Sequence, residues 1–303
     1  MRTNKSKRQY HALLSECLPD SYIKRIETTD LTKEISISEL SNQDIVALTE
    51  SNYIPARFVS AGPHRKADWS ASWKDSGVIH TQEFGLIPYY FQTSTHIRTQ
   101  KGIYLVHDPF IEFTLLKAYT EAIFRTFVPS FSVDCIVEYG CGIGTNLETI
   151  SKIFPDFLIF GADWADTAGD QVLARKINNF SDFFLVDFFN PSTFRAPRTE
   201  GRRFLAVTIA SLEQTGTSFD PFMAFLIQSK NCAGGIHIEP IIELQNPFDA
   251  LDKQSIDYCT KRNYLKGFLP WLLNVNNIEV FVKNFGLGSR YLSGYQLAVW
   301  RKK

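Results

Sequence analysis

Residues 134–150, "DCIVEYGCGIGTNLETI", decide the fold of this chain. The apolar run "CIVEY" (135–139) reads as a strand. Gly140, Gly142 and Gly144 follow at alternate positions, and a helix-forming stretch begins at once. Glycine is needed where φ is positive or where another group approaches the backbone too closely for a side chain. A strand that turns sharply into a helix also points the free amides of the helix N-terminus at a ligand. A dinucleotide fingerprint would read GxGxxG, but its third glycine would fall on Thr145. Glu138, two residues before the first glycine, would repel a pyrophosphate but can meet an amino group or a hydroxyl.

Working outward, strands are predicted at "FLIFGAD" (157–163), "FFLVD" (183–187), "RFLAVTI" (203–209) and "GIHIEP" (235–240). Helices over 145–153, 166–177 and 219–230 fill the gaps, which gives parallel strands with crossover helices. A long helical stretch is expected at 248–274. "NIEVFVKNF" and "YQLAVWRK", joined by "GLGSRYLSG", should then close the sheet as an antiparallel hairpin. Upstream, Asp108 as N-cap and Pro109 at the first position open a helix that Pro129 ends. Residues 1–106 read as irregular, with a short helix near "NQDIVALTE".

The 303 residues are long for one compact domain and short for two full ones. A 44% hydrophobic share with 25 phenylalanines supports a substantial core. Lysine plus arginine equals aspartate plus glutamate at 32 each, so no net field recruits nucleic acid or an anionic membrane. No apolar run reaches the roughly 18 residues of a membrane span, and the basic N-terminus lacks the apolar stretch of a secretory signal. Of the five cysteines none forms a CxxC pair, so neither a disulfide framework nor a zinc ribbon is indicated. A reducing cytoplasm is the expected compartment. Cys141, inside the glycine loop, needs only to be small.

The motif "VEYGCGIGTN" resembles the first motif of the class I S-adenosylmethionine-dependent methyltransferases, an acidic residue followed by GxGxG. The resemblance spans roughly residues 108–303. It implies a Rossmann-like α/β fold, a seven-stranded mixed sheet of order 3-2-1-4-5-7-6 with the last strand antiparallel. The methyltransferase domain would be 107–303, and 1–106 an N-terminal cap forming much of the acceptor site. The implied cofactor is S-adenosylmethionine. By the resemblance, Glu138, Gly140, Gly142, Gly144 and Asn146 of the motif belong to its site. Asp163 matches the acid that accepts both ribose hydroxyls, with Trp164 beside it for the adenine. Asp187 matches the carboxylate that accepts the adenine amino group, with Phe188 next to it. Singly these acids could be helix caps, and Asp166 is the better cap for the second helix. "SLEQ", "HIEP" and "KRNYLKGFLPWL" together look like a bacterial subgroup linked to sugar and polysaccharide biosynthesis. No NPPY pattern is present, which speaks against nucleobase or glutamine acceptors.

Ligands of such sheets bind beyond the carboxyl ends of the strands. An oxygen acceptor needs a base for its proton. His237 and Glu239, two apart, share a face of their strand, and Glu213 ends the neighbouring strand. His237 is the first choice of base and Glu213 the second; a core histidine bonded to backbone is the competing reading. Gln214 is a further candidate cofactor contact. The same three side chains could ligate a metal, but no second histidine stands nearby and none is expected. In the N-terminal region, Trp69, Trp73, Tyr89 and Tyr90 suit either a sugar ring or a flap over the sheet. His96 and Arg98, with Tyr264 from the later segment, are the expected acceptor contacts.

The function expected is methyl transfer to a small molecule, an oxygen of a sugar or related metabolite. N- or C-methylation of an amino-acid-derived acid is the alternative, with Arg98 on its carboxylate. A nicotinamide oxidoreductase and a non-catalytic binding protein of the same fold are the readings outside that class. A small-molecule acceptor and a homodimer partner are expected, with no nucleic acid and no membrane.

Overall fold

The computed structural model describes residues 5–50, 59–199, 201–290, 292 and 294–303. The N-terminal region is not irregular. Strands β1 (Lys5–Gln9), β2 (Glu34–Glu39), β3 (Val78–Thr81), β4 (Gly85–Pro88), β5 (His96–Thr99) and β6 (Gly102–Val106) lie within it. Four of them form an antiparallel sheet in the order β1-β2-β6-β5, and β3 and β4 make a separate hairpin. The signal was the alternation in "EISISE", which turns Ile35 and Ile37 inward, as a half-buried strand requires. These strands are four to six residues long, short enough to pass for loop. The helix expected near residue 42 is present as Asn42–Glu50.

The remaining strands are β7 (Cys135–Tyr139), β8 (Leu158–Asp163), β9 (Phe180–Leu185), β10 (Phe204–Ile209), β11 (Cys232–Glu239), β12 (Ile278–Lys283) and β13 (Gln296–Lys302). They form one sheet in the order β12-β13-β11-β10-β7-β8-β9, which is the expected 3-2-1-4-5-7-6. β7 to β11 pair in parallel, and β13 runs antiparallel to both β11 and β12. The sheet is therefore the Rossmann-like methyltransferase type, closed by its hairpin.

Both sheet faces are covered, which is why the central strands read as continuous apolar runs. On one face Ile136, Val207 and Ile238 pack with Leu115, Tyr119 and Phe124 of the helix Ile111–Phe127. Ile37 and Ile97 of the N-terminal sheet join the same core. On the other face Val137, Tyr139, Phe204, Phe222, Phe268 and Trp300 form a second cluster. Each fully buried Leu, Ile or Phe contributes about 1.5–3 kcal/mol. Among the described residues no helix is long and apolar enough to cross a membrane.

Several boundaries move. The helix after residue 108 begins at Ile111, behind a left-handed Phe110 (φ 65°). Asp108 instead accepts the Ser36 amide at 2.7 Å, tying the helix start to β2. The stretch 248–274 is two helices, Ala250–Lys261 and Phe268–Leu273, broken where Asn263 (φ 52°) and Gly267 (φ 80°) turn left-handed. β9 ends at Leu185, which leaves Asp187 in the loop beyond it.

Candidate active site

The glycine loop is folded back onto β8. The amides of Gly140 and Cys141 both donate to the Ala162 carbonyl, at 2.7 and 3.0 Å. All three glycines have positive φ. Side chains are also barred by neighbours from this chain. A Cβ on Gly140 would lie 2.3 Å from Ser211 Cβ, one on Gly144 3.0 Å from Val172 Cγ2, and one on Gly142 3.2 Å from the Trp73 ring. The helix Thr145–Ile153 starts directly after Gly144 with no side chain capping it.

Two acids brace this turn. Asp163, at the end of β8, accepts the Gly142 amide through Oδ2 and the Ala165 amide through Oδ1, each at 2.9 Å. Burial pushes its pKa up to about 6, while those amides favour the carboxylate. Asp163, not Asp166, therefore satisfies an amide at the second helix's start; Asp166 accepts only from its neighbour Thr167. Glu138 is fully buried under the loop, where Oε1 accepts from Asn146 Nδ2 at 2.7 Å. Its Oε2 is buried without a partner, and burial raises its pKa to about 8.

Above the loop lies a narrow cleft of about 100 Å³. Gly140, Gly142, Asn146, Asp163, Trp164 and Phe188 line it, together with Phe189, Ser211 and Gln214. Glu138 and Gly144 do not reach it; they act through Asn146 and the helix start. Asp187 does not line it either. Its Oδ1 takes the Phe189 amide at 3.0 Å, and Oδ2 faces Lys66 Nζ at 3.5 Å. Trp69, Trp73 and Tyr90 complete the wall from the N-terminal region. The two indoles stack with centroids 5.1 Å apart.

The cleft adjoins a second chamber of about 510 Å³, with Trp69, Tyr90, Thr145, Asn146, Ile209, Ala210 and Gln214 bordering both. Glu213, His96 and Tyr264 line the chamber. Glu213 Oε1 accepts from Gln214 Nε2 at 2.9 Å. Its Oε2 is buried without a donor in hydrogen-bond geometry, although the Tyr264 hydroxyl lies near enough to favour the carboxylate. Burial, then the charge of Glu239, raises the Glu213 pKa to about 8. His96 is pushed down to about 4 by burial and by the nearby Arg290.

Three expected site residues lie elsewhere. His237 is fully buried in the second core cluster's face of the sheet, beside Phe268. Thr208 Oγ1 sits 2.9 Å from its Nδ1, and Trp300 Nε1 donates to its Nε2 at 2.9 Å. Both nitrogens are engaged and burial lowers its pKa to about 3, so it has no base to offer a substrate. Glu239 does not line either volume: its carboxylate accepts the amides of Ser211, Leu212 and Glu213 at 3.1–3.2 Å. Arg98 is outside the chamber, paired with Asp252 at 2.6 Å and Asp249 at 3.5 Å. It fastens β5 to the helix Ala250–Lys261. Among the described residues no group of three His, Cys, Asp or Glu side chains is arranged to hold a metal.

Residues that sequence reasoning passed over include Glu112, Tyr258, Arg262, Arg290 and Tyr295, all lining the chamber. Arg262 stands two positions before Tyr264 in "KRNY", the one local signal available. Cys141 borders the cleft as a buried free thiol whose pKa burial raises well above normal, which leaves it inert as a nucleophile.

No protein-family model matches this sequence, and no curated protein matches it. Among solved structures it is similar to the plantazolicin methyltransferase BpumL bound to a desmethyl-plantazolicin analogue and SAH. That match has 16% identity over 63% of this chain and 83% of the other, with a TM-score of 0.41. Human N-acetylserotonin methyltransferase with SAM matches at 14% identity, covering 63% of this chain and 55% of the other, TM-score 0.41. An O-methyltransferase family protein from Burkholderia thailandensis matches at 12% identity over 64% and 61%, TM-score 0.40.

Proposed function

We propose that this chain is an S-adenosylmethionine-dependent methyltransferase acting on an oxygen of a small molecule, a sugar or related metabolite. The observation that carries this reading is the junction of the glycine-loop cleft with the Glu213 chamber across Asn146, Ala210 and Gln214. A donor in the first volume and an acceptor in the second would meet there.

The residues present fit the cofactor. Asp163 would hold the ribose hydroxyls, because a carboxylate has about four acceptor sites and the two amides leave some open. Trp164 and Phe188 would flank the adenine. Gln214 Oε1 is buried at the cleft without a partner, so an amino group there would satisfy it. S-adenosylmethionine, when bound, supplies an electrophilic methyl group on its sulfonium.

The chain's own contribution is alignment and proton removal. Glu213 would accept the proton of the acceptor hydroxyl at Oε2. With its pKa at about 8 it is a stronger base than an ordinary carboxylate and still reachable near neutral pH. Glu239 would act only through the amides it holds. Tyr90, Tyr258, Tyr264 and Tyr295 line the chamber, which suits a polyhydroxylated acceptor.

Quenching of Trp69, Trp73 and Trp164 fluorescence tests the cofactor directly. S-adenosylmethionine and S-adenosylhomocysteine should both quench saturably, and Asp163→Asn should weaken them by roughly tenfold or more, a charge-assisted hydrogen bond being worth about 1.5–3 kcal/mol. Saturable binding of NAD with no response to either adenosyl compound would overturn the assignment.

A further inference from the structure

Arg175 directly follows the helix Asp166–Ala174, and its side chain is 8% exposed. Its guanidinium reaches three separate segments. Nε donates to the carbonyl of Ile143, inside the glycine loop. Nη2 donates to the carbonyl of Leu86 on β4, in the N-terminal region. Nη1 meets Glu148 Oε2 at 2.7 Å, on the helix that the loop opens. We infer that Arg175 is a positioning residue for the cofactor, through which the hairpin β3–β4 holds the glycine loop in the shape that admits S-adenosylmethionine. The inference rests on the methyl-transfer reading for the identity of that cofactor.

Three observations support it. The amides of Gly140, Cys141 and Gly142 are fixed by the Ala162 carbonyl and Asp163, at the end of β8. Arg175 fixes the next residue, Ile143, just before Gly144 leads into the helix. Ile143 also shares a small apolar cluster with Trp73, against which Val78 and Leu86 of the hairpin and Trp164 of the cleft are packed. Thr167 Oγ1, in the first turn of the helix Asp166–Ala174, donates to the Ser70 carbonyl at 2.8 Å. The N-terminal segment is thus seated on the elements that carry the cofactor cleft. A planar guanidinium can serve three directions at once, which an ammonium in its place cannot do with the same geometry. Its charge is matched by Glu148, so it acts by holding the loop and not by attracting a ligand.

The test combines calorimetry and amide hydrogen exchange on the full chain with S-adenosylhomocysteine. In the wild type the ligand should slow exchange in the glycine loop and also in the hairpin. Of the hairpin, Pro88 alone borders the cleft among the described residues, and proline has no amide. Slowed exchange there therefore reports coupling and not contact. Arg175→Ala should bind S-adenosylhomocysteine about tenfold or more weakly, at a temperature where circular dichroism shows it folded. It should also lose the protection of the hairpin while Gly140 and Cys141 keep theirs. A merely structural arginine would lower the melting temperature and leave both readouts as in the wild type, and that result overturns the inference. So does a wild-type hairpin that gains no protection. Should Arg175→Ala fail to fold, Arg175→Lys, which keeps the charge facing Glu148, carries the same test. If the wild type binds no S-adenosylhomocysteine, the methyl-transfer reading falls instead. Exchange in the unliganded variant would then still report the tether: faster in loop and hairpin if it exists, unchanged in the loop if it does not.

Discussion

The backbone amide of Glu213 donates to Glu239 Oε2 at 3.1 Å, so a glutamate at the end of β11 and one in the turn after β10 act as one unit. Glu239 also takes the amides of Ser211 and Leu212 and so sets the turn that delivers Glu213 to the chamber. Glu239→Ala should strand three amides, each costing about 1–3 kcal/mol when buried without an acceptor. Urea unfolding should show a loss of at least about 2 kcal/mol. Unchanged stability would mean that the turn is held by something other than this carboxylate.

Trp73 sits on the glycine loop, its ring 3.2 Å from where a Gly142 side chain would begin. Ligand sites usually enclose roughly 300–1,000 Å³, and the cleft beneath the two indoles holds about 100 Å³. The segment carrying Trp69 and Trp73 is therefore expected to shift when a nucleoside cofactor enters. In stopped-flow fluorescence the wild type should reach a limiting association rate at high S-adenosylhomocysteine. Trp73→Ala should raise that limit by roughly tenfold, as removal of a gating step does. A wild-type rate that climbs linearly with ligand concentration would contradict the gate.

Stability should fall between about pH 6.5 and 8. Glu138 and Glu213 have folded pKa values raised to about 8 from an ordinary 4.5. Over this range the folded chain binds more protons than the unfolded one, so stability declines as pH rises. The opposite contribution of the depressed histidines His96 and His237 ends near 6.5, where the unfolded imidazole loses its proton. Glu213→Gln, which cannot ionise, should flatten the decline in melting temperature across this window. An equally steep decline in the variant would argue against a raised Glu213 pKa.

His237→Leu separates a core histidine from a base. The substitution leaves Trp300 Nε1 without its acceptor and Thr208 without its ring partner, in a fully buried place. A loss of about 1–3 kcal/mol in unfolding free energy is expected, with S-adenosylhomocysteine affinity near normal. Cofactor affinity lost at wild-type stability would return His237 to the site.

The sheet and its glycine turn were legible because both are local. Strands 135–139 and 203–209 are short apolar runs, and the positive φ at positions 140, 142 and 144 suits glycine. The N-terminal strands were missed because "EISISE" and "GIYLV" are brief and pair with each other across more than sixty residues. His237 shows where local reasoning stops. Alternation states that it shares a face with Glu239, but which face is sealed by Trp300 and Phe268 depends on β13 and a helix after residue 267.

From its own sequence this chain is determined to form a parallel sheet with a ligand-approachable turn at residues 140–144, since periodicity and backbone sterics act over a few residues. Only the tertiary structure decided which polar groups meet in the chamber. His96, Glu112, Glu213, Arg262 and Arg290 come from five separate segments, while Arg98, two residues along β5 from His96, is drawn off by Asp249 and Asp252. Charge pairing and burial are settled by neighbours distant in the chain, and a side chain's chemistry follows from those neighbours.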